Sequence, residues 1–461
     1  MIAAMTLSDL SIDTGGELFG DASFERVCSD TRSVIAGDLF VALQGEHFDG
    51  HQFLLQAHNA GAVAAVVSKE MVAAIPQLKV ADTRLALGLI ARANRRRFDK
   101  PVIALTGSAG KTTTKEMIAA ILAEAGAVLA TQGNLNNEIG VPQSLLRINA
   151  DHQFAVIEMG ASHAGDIAYL GRFAEPDIAL VTNAMSAHIE GFGDLETVAK
   201  TKGEIFESLA HNVDNKGVAI INQDDQFYLQ WYKQAGKAKV YSFSKLNSAA
   251  DFYASAITVN AQALTRFTLH TPQSAIVVNS ALLGEHNVVN AVAAAAAATA
   301  AGASIEQIKN GLEKVQPMAG RLNPHVFPAL TVIDDSYNAS PGAVKAAVDV
   351  LASFAGQRCL VLGTMGELGD QALQSHLEVA QYARQQGIEQ LLAVGEYAAP
   401  MAASFGVGAR AYKEQMTLLD EIALDEIKQL CAVDVVLVKG SRSTRMERVV
   451  TALLKKNKGK Q

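Results

Sequence analysis

The sequence predicts an α/β protein of three units whose sheets are mostly parallel. Short β-type runs each stop at a polar or glycine-rich stretch: PVIALTGSAGK, FAVIEMGAS, DIALVTNAMSAH, GVAIINQDD, LTVIDDSYNASP, RCLVLGTMGE, QLLAVGE and VDVVLVKGSRS. Runs this apolar suit strands buried on both faces, as parallel strands are. Alanine-rich helical patterns separate them, which is the alternation of an α/β chain. At 461 residues the chain also exceeds what a single core holds.

From the N-terminus, MIAAMTLSDLSID lacks a basic start and is soon broken by charges, so no signal peptide is expected. Arg95-Arg96-Arg97 followed by Pro101 marks a first boundary, and the triplet itself reads as a solvated helix end. The helical pattern IEQIKNGLEKV ends just before Pro317 to Gly320, a second boundary. The units are then 1–98, 99–315 and 316–461. Within the second, the apolar run from Val288 to Ala303 is shorter than the ~20 residues a membrane span needs. The helix propensity of alanine makes it a tightly packed internal helix instead. The tail LLKKNKGKQ reads as a frayed, solvated end.

Apolar residues make up 49% and charged residues 19%, which favours buried cores over disorder. A net charge of −8 argues against general affinity for nucleic acid or anionic membrane, yet permits a local basic pocket for phosphates. Cys28, Cys359 and Cys431 are far apart and form no CxxC. They fit free thiols in a reducing compartment, not a disulfide framework or a zinc site.

Gly107-Ser108-Ala109-Gly110-Lys111-Thr112-Thr113-Thr114 lies between the strand VIALT and the helical run KEMIAAILAEAG. Strand, glycine loop, then helix is the context phosphate binding requires. Glycines let backbone N–H groups converge on phosphate oxygens, and the helix N-terminus adds positive potential. Lys111 would bridge the β- and γ-phosphates of ATP, and the Thr112 hydroxyl would bind Mg²⁺. The spacing departs from strict GxxxxGK[ST], because Leu105 stands where the first glycine would be. A glycine turn with no ligand is the bland reading; the flanking strand and helix weigh against it.

Other residues gain meaning in combination. Glu158 ends the strand FAVIE, where a carboxylate must be paired, metal-bound or exposed. Downstream of a phosphate loop it takes the place of an acidic Mg²⁺ ligand. His188, in TNAMSAHIEGFG, is by itself more often structural than a ligand. Lys202, in LETVAKTKGEIFESLA, is by default a solvated helical charge. Asn137 and Glu138, in NLNNEIGVP, and Asn287, in GEHNVVN, could serve as helix caps. Asp335, Tyr337 and Asn338 lie in VIDDSYNASPGAVKAA, a loop that a turn capped by Ser340 ahead of Pro341 would explain structurally. His47 and His51 are suggestively spaced, but Gly50 and the lack of an acidic partner motif speak against a metal there.

In order, these motifs resemble the Mur ligase family: TGSxGKT[TS]T, NxNNEIGVP, V-x-E-M-G, TNxxxxHxxxFG, K-x-x-[LI]-F, GxHNxxNAxAA, the GR of Gly320-Arg321, YNANP (here YNASP) and KGSRxxxME. Ser29 to Ser33 with the following GDLFVALQG and DGHQF resembles the family's uridine-binding module. The resemblance implies an N-terminal UDP-substrate domain, a central P-loop-type ATP-binding domain and a C-terminal Rossmann-like ligase domain. It implies catalytic roles for Lys111, Glu158, His188 and Lys202. Thr112 and Glu158 would hold one of two Mg²⁺ ions; His188 and Lys202, carbamylated on its amine, the other. Gly107 to Thr113 and Arg321 would hold phosphates, Asn287 and Asn290 the adenine (Asn290 preferred), and Asp335 the ribose. Arg32 and Ser33 are expected at UDP phosphates, Asn137 and Glu138 at substrate or a phosphate-site network, and Tyr337 and Asn338 at substrate.

The reaction so implied is phosphorylation of a carboxylate by Mg-ATP to an acyl phosphate, followed by attack of an amine. YNASP, KGSRS, the EIGVP form and the absence of a DNPR segment point to the branch that joins D-alanyl-D-alanine to UDP-N-acetylmuramoyl-tripeptide for peptidoglycan. A diaminopimelate- or lysine-adding tripeptide synthetase and a folylpolyglutamate synthetase are enzyme alternatives; the uridine-type module speaks against the second. A nucleotide-gated binding protein is the non-enzyme alternative, disfavoured by a second metal site. A cytoplasmic monomer, with no nucleic acid partner and no membrane insertion, completes the expectation.

Overall fold

The computed structural model describes residues 1–45, 48–185, 189–211, 217–424 and 433–458. A two-stranded pair, Met5–Thr6 with Ser23–Phe24, and three larger sheets organise them; the apolar runs mark strands of the two larger sheets beyond residue 100. The five-stranded sheet has the order Glu17–Phe19, Gln77–Lys79, Ala64–Val67, Asp38–Val41 and Arg26–Cys28, parallel except for its first pair. The six-stranded sheet runs Asn323–Phe327, Leu330–Asp335, Val435–Lys439, Arg358–Gly363, Gln390–Val394 and Ala409–Tyr412, again with only the first pair antiparallel.

Between them in the chain stands a nine-stranded sheet. Val128–Ala130, Phe154–Glu158, Val102–Thr106, Ile178–Val181, Val218–Asn222, Lys239–Ser244 and Phe252–Val259 follow one another in parallel. Leu264–His270 and Ala275–Leu283 extend the sheet antiparallel. This extension escapes the sequence reading because its outer strands are half exposed and lack long apolar runs. The alanine run forms the helix His286–Ala300, buried along most of its length against Lys111–Leu122. Small side chains let the two helices approach closely. Among the described residues, no helix is long and apolar enough to cross a membrane.

Cores and sheets do not divide the chain at the same places. One continuous core joins Leu39, Val66, Leu87 and Ile90 of the first sheet and its helix Thr83–Arg96 to Ile157, Leu170 and Phe173 beside the central sheet. The third unit has cores of its own, to which, among the described residues, the central unit adds Ala263 and Leu283, with partly buried Leu264 packed against them. Asn94, fully buried, ties the first seam by donating to the carbonyls of Leu145 and Ile148 at 2.9 and 3.0 Å.

The basic triplet corrects an expectation. Arg95 is buried, not solvated, and donates to the carbonyls of Ala174, Phe98 and Glu175 and to Asp177 at 2.9 to 3.0 Å. Arg96 pairs with Glu175 at 2.8 Å, and so does Arg92 at 2.6 Å. A buried guanidinium is tolerable only when its donors are met, and here carbonyls at a helix end do that. The partners lie about 80 positions downstream, beyond the reach of local pattern reading.

Candidate functional site

Val102–Thr106 runs between two parallel neighbours, and its carboxyl end opens where parallel sheets collect ligands. The loop from Gly107 to Gly110 turns there into the helix Lys111–Leu122. The first N–H groups of that helix lack intrahelical partners and face the loop, which suits an anion. Gly110 has φ +79°, and a Cβ there would stand 2.4 Å from Asn290 Oδ1. Both facts require glycine.

The next strand end clamps this loop. The Ser108 N–H donates to the Asn183 carbonyl at 3.0 Å, and the Ala109 N–H to Asn183 Oδ1 at 2.9 Å. The Thr182 hydroxyl donates to the Ala109 carbonyl at 2.7 Å. Ser108 Oγ accepts from the Met185 N–H and donates to the Met185 carbonyl, at 2.9 and 3.1 Å. Sequence reasoning passed over Thr182 and Asn183; the signal was the TN ending an apolar strand beside the glycine loop.

Lys111 Nζ donates to the Gly107 carbonyl at 2.7 Å, curled over the space a phosphate would fill. Burial holds its pKa below the usual lysine value, Glu158 opposes that shift, and Arg321 adds to it. Glu158 ends its strand 2% exposed. Its Oε1 accepts from Asn136 Nδ2 at 2.8 Å, while Oε2 is buried and, among the described residues, has no hydrogen-bond partner. A bare buried carboxylate oxygen is costly unless a cation meets it. With the Thr112 hydroxyl it offers hard oxygen donors suited to Mg²⁺. Among the described residues, no group of three His, Cys, Asp or Glu side chains is set to hold a metal.

Lys202 lies on Leu195–Glu207, 3% exposed, which overturns the default of a solvated charge. Its ammonium stands 5.9 Å from the Phe192 ring centroid and, among the described residues, makes no hydrogen bond or ion pair. Burial, with Lys111 adding repulsion, pushes its pKa down to about 7. The amine is thus partly neutral near neutral pH. His188 lies outside the described residues.

The third unit reaches into this site. The Arg321 guanidinium donates to Thr112 Oγ1 at 3.0 Å and lies 4.3 Å from the Tyr337 ring centroid. A small cavity lined by Thr113, Leu282, Leu283, Asn287, Met318, Arg321 and Leu322 opens at this seam. Asn287, not Asn290, lines it; Asn290 donates to Asn287 Oδ1 at 2.9 Å and packs on Gly110. Asp335 is buried, accepting from the Leu322 N–H at 3.2 Å and from Lys439 Nζ at 2.5 Å. Burial drives its pKa up while Lys439 opposes the shift. Lys439 also donates to the Asn338 carbonyl at 3.0 Å, so the KGSRS lysine serves to hold the SYN loop. Asn338 Oδ1 accepts from the Ala339 N–H.

The remaining substrate-side residues split. Asn137 Oδ1 accepts from the N–H groups of Ile139 and Gly140, which is capping of Gly140–Leu146. Glu138 stands 3.5 Å from Arg84 of the first unit. Arg32 is exposed and pairs with Asp30 at 2.6 Å, which holds the Asp30 carboxyl down to about 2. Ser33 Oγ donates to the Asp30 carbonyl at 3.0 Å. His51 is buried between Asp49, at 2.5 Å, and the Ser68 N–H, at 2.8 Å, a structural arrangement.

With this geometry in hand, comparison with known proteins is informative. Residues 24–95 match the model of the Mur ligase family catalytic domain, 105–298 that of the Mur ligase middle domain, and 320–442 that of the Mur ligase glutamate ligase domain. The chain is 44% identical over 98% of both chains to UDP-N-acetylmuramoyl-tripeptide–D-alanyl-D-alanine ligase of Escherichia coli K12. Among solved structures it resembles MurF from Acinetobacter baumannii, with TM-score 0.91 and 37% identity over 98% of this chain and 99% of that one. It also resembles MurF from Thermotoga maritima in complex with ADP, with TM-score 0.81 and 27% identity over 95% and 98%.

Proposed function

The chain belongs to the Mur ligase family, and from that premise we propose that it is the ATP-dependent ligase joining D-alanyl-D-alanine to UDP-N-acetylmuramoyl-tripeptide. The product is the pentapeptide precursor of peptidoglycan. The observation that carries the reading is the pairing of a glycine-clamped phosphate loop with a buried carboxylate oxygen that, among the described residues, has no hydrogen-bond partner. On this reading the three sheets belong to units 1–98, 99–315 and 316–461, which serve the UDP-substrate, ATP and the ligation step.

ATP seats its phosphates on the first N–H groups of Lys111–Leu122, and Lys111 leaves the Gly107 carbonyl for the β- and γ-phosphates. Arg321 has only to shift from Thr112 Oγ1 to the phosphates. Asn287 lines the seam where the adenine lies, and Asp335 stands by for the ribose. The tripeptide carboxylate then attacks the γ-phosphorus, forming an acyl phosphate and releasing ADP. The amine of D-alanyl-D-alanine attacks the acyl carbon, and collapse of the tetrahedral intermediate expels phosphate. Lys111 and Arg321 offset the charge that keeps carboxylate and phosphate apart.

Thr112 and Glu158 would hold one Mg²⁺, and His188 with Lys202 the second; bound there, the ions neutralise phosphate charge. Lys202 serves as a carbamate, its neutral amine adding to CO₂ with loss of one proton. A pKa of about 7 supports this, because only the free amine reacts. Lys202→Ala should then lose most activity and regain part of it with added acetate, whereas Lys200→Ala should behave as wild type. Full activity of Lys202→Ala without acid would end the carbamate reading. Arg32 and Ser33 meet the UDP phosphates, Asn137 and Glu138 border the substrate, and Tyr337 and Asn338 face the incoming dipeptide.

The enzyme acts as a cytoplasmic monomer in this proposal; sedimentation of a dimer would revise that point. The deciding assay is phosphate release with UDP-N-acetylmuramoyl-tripeptide and ATP plus D-alanyl-D-alanine, diaminopimelate, lysine or glutamate in turn. Release should require both organic substrates and follow D-alanyl-D-alanine. Preference for another amine, or steady release without one, would overturn the assignment.

A further inference from the structure

We propose that Asn136 is a positioning residue for Glu158, holding one carboxylate oxygen so that the other stays bare and anionic toward a divalent cation. The inference rests on the reading of Glu158 as a Mg²⁺ ligand and adds the group that aims it.

Asn136 Nδ2 donates to Glu158 Oε1 at 2.8 Å, and Oε2 is left buried without a donor among the described residues. The choice of an amide matters. A lysine or arginine in its place would also fix the carboxylate but would neutralise it and compete with the cation. An asparagine N–H fixes the plane of the carboxylate and leaves its charge intact. Hydrogen bonds of this outer kind orient metal ligands and tune their affinity.

Asn136 is itself held on both sides. Its N–H donates to the Asn134 carbonyl and its carbonyl accepts from the Gly160 N–H, both at 2.8 Å. Its amide oxygen lies where a Cβ at position 160 would come within 3.0 Å, so the side chain rests on bare backbone. The other end of Glu158 is pinned by its own N–H donating to Thr131 Oγ1 at 2.9 Å. Buried Lys115 in turn donates to the Thr131 carbonyl at 2.6 Å. Two independent supports, at the backbone and at one carboxylate oxygen, leave Oε2 a single direction. The neighbours Asn137 and Glu138 have other employment, as a helix cap and as the partner of Arg84.

The test is calorimetric binding of ADP with and without Mg²⁺ to the full-length protein, for wild type, Asn136→Ala, Asn136→Leu and Glu158→Gln. Asn136→Leu keeps a similar shape and removes the donor without adding charge, so a folding defect in the alanine variant does not decide the matter. Thermal melts confirm that each variant is folded. Both Asn136 variants should bind ADP in EDTA as wild type does. They should lose on the order of tenfold or more of the affinity that Mg²⁺ adds, and half-saturating Mg²⁺ for turnover should rise in parallel. A wild-type Mg²⁺ gain in both variants overturns the proposal. So does an equal loss of ADP affinity with and without Mg²⁺, which would make Asn136 a prop for the loop. If Glu158→Gln keeps the full Mg²⁺ gain, the metal reading of Glu158 fails and this inference with it. If Glu158→Gln loses the gain while the Asn136 variants keep it, only the positioning role fails.

Discussion

Lys202→Met should stabilise the nucleotide-free protein while abolishing ligation. The Lys202 ammonium is buried at 3% exposure, and its pKa falls from 10.5 to about 7. At about 1.4 kcal/mol per pKa unit, keeping it charged costs the folded state on the order of 5 kcal/mol. Relaxation and water entry reduce that to roughly 2–4 kcal/mol in practice. Between about pH 7 and 10.5 the unfolded chain binds a proton that the folded chain has shed. Wild-type stability therefore rises with pH across that window and is flat, as far as this group is concerned, on either side. Methionine matches the length of the buried stem and carries no proton. Its advantage should be greatest at and below pH 7 and shrink by up to about 3 kcal/mol on going to pH 9. Trp231, the only tryptophan in the chain, donates from its buried indole nitrogen to the Ala199 carbonyl at 2.8 Å, on the same helix as Lys202. Its fluorescence through a urea titration in CO₂-free buffer with EDTA, at pH 6.5, 8 and 9, reads the unfolding of that region. A variant less stable than wild type at pH 6.5, or one whose advantage is the same at all three pH values, would refute the reasoning.

Other perturbations probe separate parts of the argument. Lys111→Ala should lower ligation by on the order of 10²-fold or more with the fold intact, and near-normal turnover would defeat the phosphate-loop assignment. Gly110→Ala places a methyl 2.4 Å from Asn290 Oδ1 at φ +79°. Strain of about 1–3 kcal/mol should weaken ADP binding on the order of tenfold, and unchanged ADP affinity by calorimetry would count against the close-approach argument. Arg95→Ala removes the guanidinium that meets Asp177 and the carbonyls of Ala174, Phe98 and Glu175. It should cost about 3–5 kcal/mol in denaturant unfolding, and a wild-type midpoint would restore the solvated reading of the triplet.

Most parallel strands of the central and C-terminal sheets and the phosphate loop were legible because their signals are local, whereas the short strands of the first sheet carried no long apolar run. An apolar run names a buried strand, and strand, glycine loop and helix must be contiguous to work. Lys202 was half legible. Val198, Lys202, Ile205 and Phe206 share a buried stripe, so the helical period could have placed the lysine inside, although only packing reveals how far its pKa drops. Asn136 was not legible beside Asn137, because both sit in one motif and which one turns toward Glu158 depends on a strand 22 positions away. Arg95 failed for the same reason, its partners lying on another unit. The packing of Asn290 on Gly110 was not legible either, because the two positions lie 180 residues apart and only the fold brings them together.

The shared core between the first two sheets bears on how the molecule can be dissected. A fragment ending near residue 98 would carry Leu87 and Ile90 without the central side chains that share their core, and its partner would bare Leu170 and Phe173. Neither piece should fold alone, and separately expressed halves should need each other to become soluble. A cut near residue 316 severs a smaller seam, to which, among the described residues, the central unit contributes Ala263, Leu283 and partly buried Leu264 of the neighbouring core. Autonomy in this chain follows the hydrophobic interior: residues 1–315 make one foldable body with two sheets, and the remainder makes another.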